Sequence, residues 1–358
     1  MLEEFYRFNP YALEHEDKNA LVTRHLIDLT EHHRNHCTPY ANLLTAMEYD
    51  PRAVKTTEDI PFFPVRLFKE MELLSIDRRD IFKIMTSSGT AGQAVSRIYV
   101  DRDNAMAQQK VMIKILSDYF GKQRLPLLIV DSPAVLKDRQ QFSARGAAIM
   151  GLQFMTRDNT YALDSEMNLD FGLFESFLNR NKGKPFLIFG FTFMIWQHFY
   201  LALKASGKKY DLSDAWLMSG GGWKKLQSAA VSQEDFRRKM SEETGIKHFL
   251  DHYNMVEQTG CLYAECEFHH LHASIFSDVI VRRSEDLSPC EIGEKGIIEL
   301  LSVLPRSYPG HALLTEDEGI ILGEDDCPCG RKGKYIRVLG RLKAAELRGC
   351  SDTYAAKC

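Results

Sequence analysis

The spacing of hydrophobic positions changes along the chain. Residues 1–60 set apolar side chains at helical intervals among many charges, which predicts amphipathic helices. His25, His32, His33 and His36 fall in that stretch and are expected on a solvated helix face. Pro61-Phe62-Phe63-Pro64 then interrupts the helical pattern. Short β-prone runs at 81–85 and 94–100 predict two strands joined as a hairpin, followed by a helix over 103–119. Residues 125–131 form an apolar run ending in an acidic residue, as buried parallel strands often do. The run 185–203 is about long enough to cross a bilayer, which takes ~20 apolar residues. Pro185, Gly190, Thr192, Gln197 and His198 interrupt it, so it divides into a strand at 186–189 and a helix from 192 to about 204. Apolar segments at 215–218 and 248–250 predict two further strands. Strands alternating with helices imply an α/β fold with parallel sheets flanked by helices, in which ligands gather at the carboxyl ends of strands.

With 358 residues, the chain can bury a large core. Its net charge of -4 shows no clustered excess of Lys and Arg, which argues against nucleic acid as a ligand. The first residues lack a basic segment followed by an apolar run, so no signal peptide is expected and the location is read as cytoplasmic. In a reducing compartment the eight cysteines are expected as thiols or metal ligands.

Three loops carry candidate chemistry. Thr86-Ser87-Ser88-Gly89-Thr90-Ala91-Gly92-Gln93 occupies the tip of the expected hairpin. Its glycines permit close approach of a ligand, and its backbone N–H groups and hydroxyls can converge on a polyphosphate. The same composition also serves an ordinary hairpin turn. Ser219-Gly220-Gly221-Gly222 follows an apolar strand and offers bare backbone to a flat ligand, with Lys224 and Lys225 adding positive charge. In the stretch Asp251-His252-Tyr253-Asn254-Met255-Val256-Glu257-Gln258-Thr259-Gly260, Glu257 is a candidate to hold Mg²⁺ carried by a nucleotide, since Mg²⁺ takes only one or two protein oxygens. A surface glutamate would read the same way.

Together these segments resemble the core motifs of the adenylate-forming superfamily, which includes acyl-CoA ligases and phenylacetate-CoA ligases. The hydroxyl-rich loop is similar to that superfamily's phosphate loop, and residues 219–222 to its adenine-side loop. Tyr253 to Glu257 is similar to its Tyr-Gly-x-Thr-Glu segment, with the Gly and Thr replaced. Leu314-Thr315-Glu316-Asp317 resembles the element whose Asp holds the ribose, and Arg337-Val338-Leu339-Gly340-Arg341 resembles the Arg-x-x-Gly-Arg hinge. The resemblance spans 62–349 and implies ATP and Mg²⁺ as cofactors. Thr86, Ser87, Ser88, Gly89, Thr90, Gly92 and Gln93 would then hold phosphate, and Ser219, Gly220, Gly221, Gly222, Asp251, Tyr253, Asp317, Arg337 and Arg341 would hold adenine and ribose.

The segment Glu346-Leu347-Arg348-Gly349-Cys350-Ser351-Asp352-Thr353 resembles the acyl-protein synthetase (LuxE-type) family. That resemblance implies an ATP-dependent acid–thiol ligase that activates a long-chain fatty acid as an acyl-adenylate. The acyl group would be carried on Cys350 and passed to an acyl reductase or another acyl-accepting protein, as in bacterial bioluminescence. A thiolate at Cys350 would be favoured by Arg348 beside it. The expected organisation is an adenylate-forming domain over 1–340, with a helical region at 1–60 and core sheets at 61–340, then a tail at 341–358 in place of the superfamily's small C-terminal domain. Lys224 and Lys343, with Arg341, are candidates for the work of that domain's catalytic lysine. An acyl- or aryl-CoA ligase, a carrier-protein-loading ligase and a non-catalytic nucleotide-binding scaffold are the alternatives, and self-association into an oligomer is compatible with all of them.

Cysteine spacing supplies a separate signal. Cys327-Pro328-Cys329 is a two-thiol knuckle, and upstream Cys266 is followed by His269, His270 and His272, so one Cys, one His and the pair could complete a tetrahedral metal site. Zinc is the expected ion. Resemblance to phenylacetate-CoA ligase-like proteins favours Cys266, His272, Cys327 and Cys329 as ligands, with Cys261, His269 and His270 as substitutes. Residues 189–203 supply aromatic and aliphatic side chains that could line an acyl pocket, although such a stripe on a buried helix is usually plain core.

Overall fold

The computed structural model describes residues 2–87, 95–136, 144–221 and 231–342. The strands in chain order are β1 (Phe63–Pro64), β2 (Lys83–Thr86), β3 (Arg97–Val100), β4 (Leu125–Ile129), β5 (Thr156–Tyr161), β6 (Phe186–Phe191) and β7 (Ala215–Gly220). There follow β8 (His248–Tyr253), β9 (Tyr263–Glu265), β10 (Leu271–His272), β11 (Ser277–Arg282), β12 (Lys295–Ser302), β13 (Ala312–Glu324) and β14 (Lys334–Arg341). The helices used below are α1 (His15–His36), α2 (Thr38–Ala46), α3 (Leu67–Glu70), α4 (Arg102–Phe120) and α5 (Ala144–Gln153). The chain divides into two compact units, one built from residues before 122 and after 253, the other from the stretch between.

The second unit is the α/β body that the alternation predicts. Its strands lie in the order β8-β7-β6-β4-β5, every pairing parallel. The run 185–203 is a strand followed by helix, as its interruptions require, and the helix contains a π-helical stretch at Ile195–Tyr200. Phe174, Phe177, Phe193, Met194, Phe199 and Leu203 meet in one apolar cluster there. No helix among the described residues is long and apolar enough to cross a membrane.

In the first unit the expectation of parallel sheets fails. Strands run in the order β11-β12-β13-β14-β10-β9, each pairing antiparallel, and only β1 joins β13 in parallel. Short connections explain this, because a parallel pair needs a crossover of a dozen or more residues. The expected hairpin is present as β2 and β3, paired from Lys83↔Val100 to Thr86↔Arg97. It leads into α4, whose first turn is capped by the Asp101 carboxylate accepting from Asn104 N–H at 2.7 Å.

The N-terminal helices pack against this unit through buried polar groups. Lys18 on α1 donates to the Ala273 carbonyl at 3.1 Å and lies 3.5 Å from Asp278 on β11, which also accepts from Lys334 on β14 at 3.1 Å. Burial alone would raise the Asp278 carboxyl, but Lys334 and Lys18 hold it down at about 2.

Two of the four histidines assigned to a solvated face are in fact buried. His33 is fully enclosed, its Nε2–H donating to the Pro305 carbonyl at 3.0 Å and its Nδ1 accepting from the Ser75 hydroxyl at 2.8 Å. It stacks on His311, with ring centroids 5.1 Å apart, and His311 Nε2 lies 2.9 Å from the Thr30 hydroxyl. His25 is buried as well, 3.2 Å from the Val303 carbonyl. Each ring satisfies a backbone or hydroxyl group of a neighbouring segment, which a helical charge pattern does not reveal. Burial keeps them neutral, lowering His311 to about 3 and His25 to about 4.

A pH dependence follows. Below about 6.5 the unfolded rings take up protons while the folded ones stay neutral, so stability is lost as pH falls. At pH 5 the His311 ring alone accounts for about 2 kcal/mol relative to neutral pH. Melting temperature compared at pH 7.5 and 5.0 should fall in acid, and the fall should shrink in His311→Gln.

Candidate functional site

The hairpin neck and the Glu257 turn belong to the first unit and lie side by side. Ser87 N–H donates to the Ser96 carbonyl at 3.2 Å, and Ser96 N–H donates to the Ser87 hydroxyl at 2.9 Å, so the loop between them starts and ends at one closed point. The loop residues Ser88, Gly89, Thr90, Gly92 and Gln93 lie outside the described residues. Thr86, the last residue of β2, is exposed. Glu257 sits in a short 3-10 turn, Val256–Gln258, and is buried beside Ser96. Burial raises its carboxyl above the usual range, while Ser96, Lys69 and Arg341 act in the opposite sense.

Two residues of that stretch to which the sequence reading gives no role fix the turn. Gln258 is 1% exposed and its Nε2 donates to the carbonyls of Leu300 at 2.9 Å and Gly310 at 2.8 Å, tying the turn to β12 and to the approach to β13. Gly260, with φ +94, brings its Cα so close to α4 that an added Cβ would fall 2.7 Å from Gln108 Cα. The only sequence signal for either was position: a Gln beside the glutamate and a Gly two residues further on. Thr259 completes the contact, its hydroxyl 3.8 Å from Met85 Sδ on β2.

Asp317 and Arg341 face each other across β13 and β14 in direct register, with Arg341 Nε 3.8 Å from the Asp317 carboxylate. Arg337 is exposed on β14, opposite Ile320. Gly222, Lys224, Lys343 and Cys350 lie outside the described residues.

The second unit carries the other loop at the carboxyl ends of β6, β7 and β8. Ser219 pairs in register with Asp251 and Gly220 with His252, and Gly221, at φ +75, ends the described segment. The Asp251 carboxylate accepts from Gln233 Nε2 at 3.0 Å and from His252 N–H at 2.8 Å. Tyr253 closes β8 and is half-buried. One strand over, at the end of β4, Asp131 is buried against Arg145 of α5, with Nη2–Oδ1 3.1 Å and Nε–Oδ2 3.0 Å. Ile149, Phe189 and Phe191 lie around that pair. Most of the aromatic stripe read as an acyl pocket faces the core instead, because Phe193, Met194, Phe199 and Leu203 pack into the apolar cluster.

The four residues favoured by the resemblance to phenylacetate-CoA ligase-like proteins come together in the structure. Donor atoms of Cys266, His272, Cys327 and Cys329 lie within 4.8 Å of one another. The β9–β10 hairpin presents Cys266 and His272, and the turn before β14 presents the two remaining thiols. Cys266 and Cys327 sulfurs are 3.9 Å apart, and Cys329 Sγ is 3.4 Å from His272 Nε2, separations that suit four ligands around one ion. The sulfurs of Cys266 and Cys329 accept backbone N–H bonds from Phe268 and Arg331, both at 3.4 Å. His272 Nδ1 is buried with no hydrogen-bond partner among the described residues. Burial and the nearby Arg331 lower this ring to about 3, keeping it in the neutral form that ligates metal. The set could therefore hold Zn²⁺. Cys261 is not part of it, bonding the Ser302 hydroxyl at 3.0 Å, and His269 turns toward Glu265 at 3.6 Å. His270 lies 3.2 Å from Cys327 Sγ, stacked on Tyr335.

Comparisons with known proteins agree with this architecture. In solved structures the chain is similar to 2-hydroxyisobutyryl-CoA ligase in an open conformation with 2-HIB-AMP and CoA, at TM-score 0.72 and 14% identity, covering 94% of this chain and 77% of that one. This likeness shows the adenylate-forming-ligase fold. The long-chain-fatty-acid–luciferin-component ligase of Vibrio harveyi is 25% identical over 325 residues, covering 85% of this chain and 80% of the relative. The protein of the same name from Aliivibrio fischeri is 24% identical over 311 residues, covering 84% and 79%. The model of the acyl-protein synthetase family, LuxE, matches residues 3–358. With nearly its whole length matched, this chain belongs to the LuxE acyl-protein synthetase family.

Proposed function

We propose that this protein is an ATP-dependent ligase that activates a long-chain fatty acid and carries it as a thioester on Cys350. The observation that carries the reading is the family match over residues 3–358, which takes in the hydroxyl-rich loop, the Glu257 turn and Cys350 together. A carboxylate is a poor electrophile because its charge repels nucleophiles and oxide leaves badly. Attack of its oxygen on the α-phosphorus of ATP expels pyrophosphate and gives a mixed anhydride. The thiolate of Cys350 then attacks the acyl carbon, and AMP departs with the electrons of the broken C–O bond. The thioester remains reactive enough to pass to an acyl reductase or another accepting protein. In this reading the protein works in the cytoplasm, with the adenylate-forming domain over 1–340 and a tail at 341–358 that bears the thiol.

Residues 86–93 hold the phosphates in this scheme, and Lys224, Lys343 and Arg341 supply positive charge for the transferring phosphoryl group. Ser219, Gly220, Gly221, Gly222, Asp251 and Tyr253 take the adenine, and Asp317 with Arg337 and Arg341 takes the ribose. Glu257 holds Mg²⁺, which when bound neutralises phosphate charge. Support comes from its environment, since a buried carboxylate held beside the hairpin neck is costly without a cation. Cys266, His272, Cys327 and Cys329 hold a structural Zn²⁺. Four protein ligands close the ion to substrate, so this site stiffens the β9–β10 hairpin and the turn before β14 and does not activate water.

Three outcomes are expected. Incubation with labelled fatty acid and ATP, followed by a denaturing gel, should give a hydroxylamine-labile label that Cys350→Ser removes while ATP–pyrophosphate exchange continues. An unlabelled wild-type protein that still exchanges pyrophosphate would instead be a CoA or carrier-protein ligase, and silence in both assays across a panel of acids would leave a nucleotide-binding scaffold. Glu257→Gln should lower the rate of pyrophosphate exchange by roughly 10–100-fold, with partial recovery at high Mg²⁺. Elemental analysis should find one zinc per chain, and Cys327→Ser or Cys329→Ser should lose it and lower the melting temperature by roughly 5–10 °C.

A further inference from the structure

The carboxyl end of the parallel sheet in the second unit contains a histidine that no motif accounts for. Strand register sets side chains in rows on each face, and one face reads Leu187, Trp216 and His248, then Phe189, Met218 and Leu250, then Phe191, Gly220 and His252. In the last row the central strand carries no side chain. The notch is filled from the side, because the His252 ring lies over Gly220 so closely that a Cβ there would meet its Cε1 at 2.3 Å. The ring is anchored in that pose. His252 Nδ1 is 2.9 Å from the Ser219 carbonyl, so Nδ1 carries the proton and donates it. Burial holds the imidazole neutral, at about 4. On the opposite side, the Thr192 hydroxyl is 3.5 Å from the Gly220 carbonyl, and the Phe191 ring lies 3.7 Å from where a Cβ on Gly221 would stand.

We propose that His252 is a positioning residue for the nucleotide, fixing the backbone of residues 219–221 in the one shape against which a planar purine base can lie. The inference rests on the nucleotide reading of that loop. Two neighbouring carbonyls at the end of β7 are turned by side chains, and a flat ring closes the gap that the glycine opens. Without the Nδ1–H donor, the Ser219 carbonyl loses its partner and the peptide planes of the loop are free to rotate. The base then meets a disordered surface and binds with an added ordering cost. In this assignment His252 acts through the backbone of residues 219–221 alone, so fatty-acid affinity should be untouched.

Isothermal titration of the full chain with ATP, and separately with a long-chain fatty acid, tests the assignment on wild type, His252→Asn and His252→Leu. Asn places an amide donor where Nδ1 stands, whereas Leu keeps bulk without a donor. The Leu variant should bind ATP about tenfold more weakly with fatty-acid affinity within about twofold of wild type, and the Asn variant should stay within about threefold for both ligands. Gly220→Ala, which must displace the ring, should weaken ATP binding as the Leu variant does. A Leu variant with wild-type ATP affinity overturns the proposal. So does one that loses both affinities together with thermal stability, since that describes a merely structural histidine. A folded wild-type protein that binds no ATP rejects the nucleotide reading itself, and this inference falls with it.

Discussion

Gln258 ties the Glu257 turn to the rest of the first unit. Its buried amide donates to the Leu300 and Gly310 carbonyls, and so fixes the Val256–Gln258 turn to the antiparallel sheet. An isolated 3-10 turn of this length has little stability of its own, since its hydrogen bonds are few and poorly aligned. Anchored by Gln258 and wedged against α4 at Gly260, the turn keeps Glu257 beside the Ser96 end of the hairpin. Without that anchor the burial that raises Glu257 would be relieved by moving it into water, away from Ser96.

Buried polar groups recur as the means of joining segments distant in sequence. His33, His311 and His25 satisfy carbonyls and hydroxyls between α1 and the connecting segments around Ser75 and between β12 and β13, while Lys18, Asp278 and Lys334 bind the same helix to the sheet through charge. Leaving any of these unpaired would cost more than the pairing itself contributes, so each partner is strongly specified. The thiol and imidazole cluster follows the same logic at another place. It gathers the β9–β10 hairpin and the turn before β14, and the sulfurs of Cys266 and Cys329 accept N–H bonds from Phe268 and Arg331.

Local patterns carried much of the organisation. The α/β alternation of the second unit, the hairpin before α4 and the break inside 185–203 could all be read from spacing, because each depends on period or turn residues within short windows, whereas the choice of Cys266, His272, Cys327 and Cys329 rests on a family resemblance and their meeting on the fold.

What the chain by itself determined is therefore the kind of fold and the residue types available for chemistry. Tertiary structure decided which of those residues are buried and what they face: that His25 and His33 are interior, that the strands after residue 262 pair antiparallel, that Gln258 clamps the Glu257 turn, and that His252 fills the notch at Gly220. The reason is physical. Period and propensity are properties of neighbours along the chain, whereas burial and hydrogen-bond partnership are set by residues hundreds of positions away, brought near only when the sheets close.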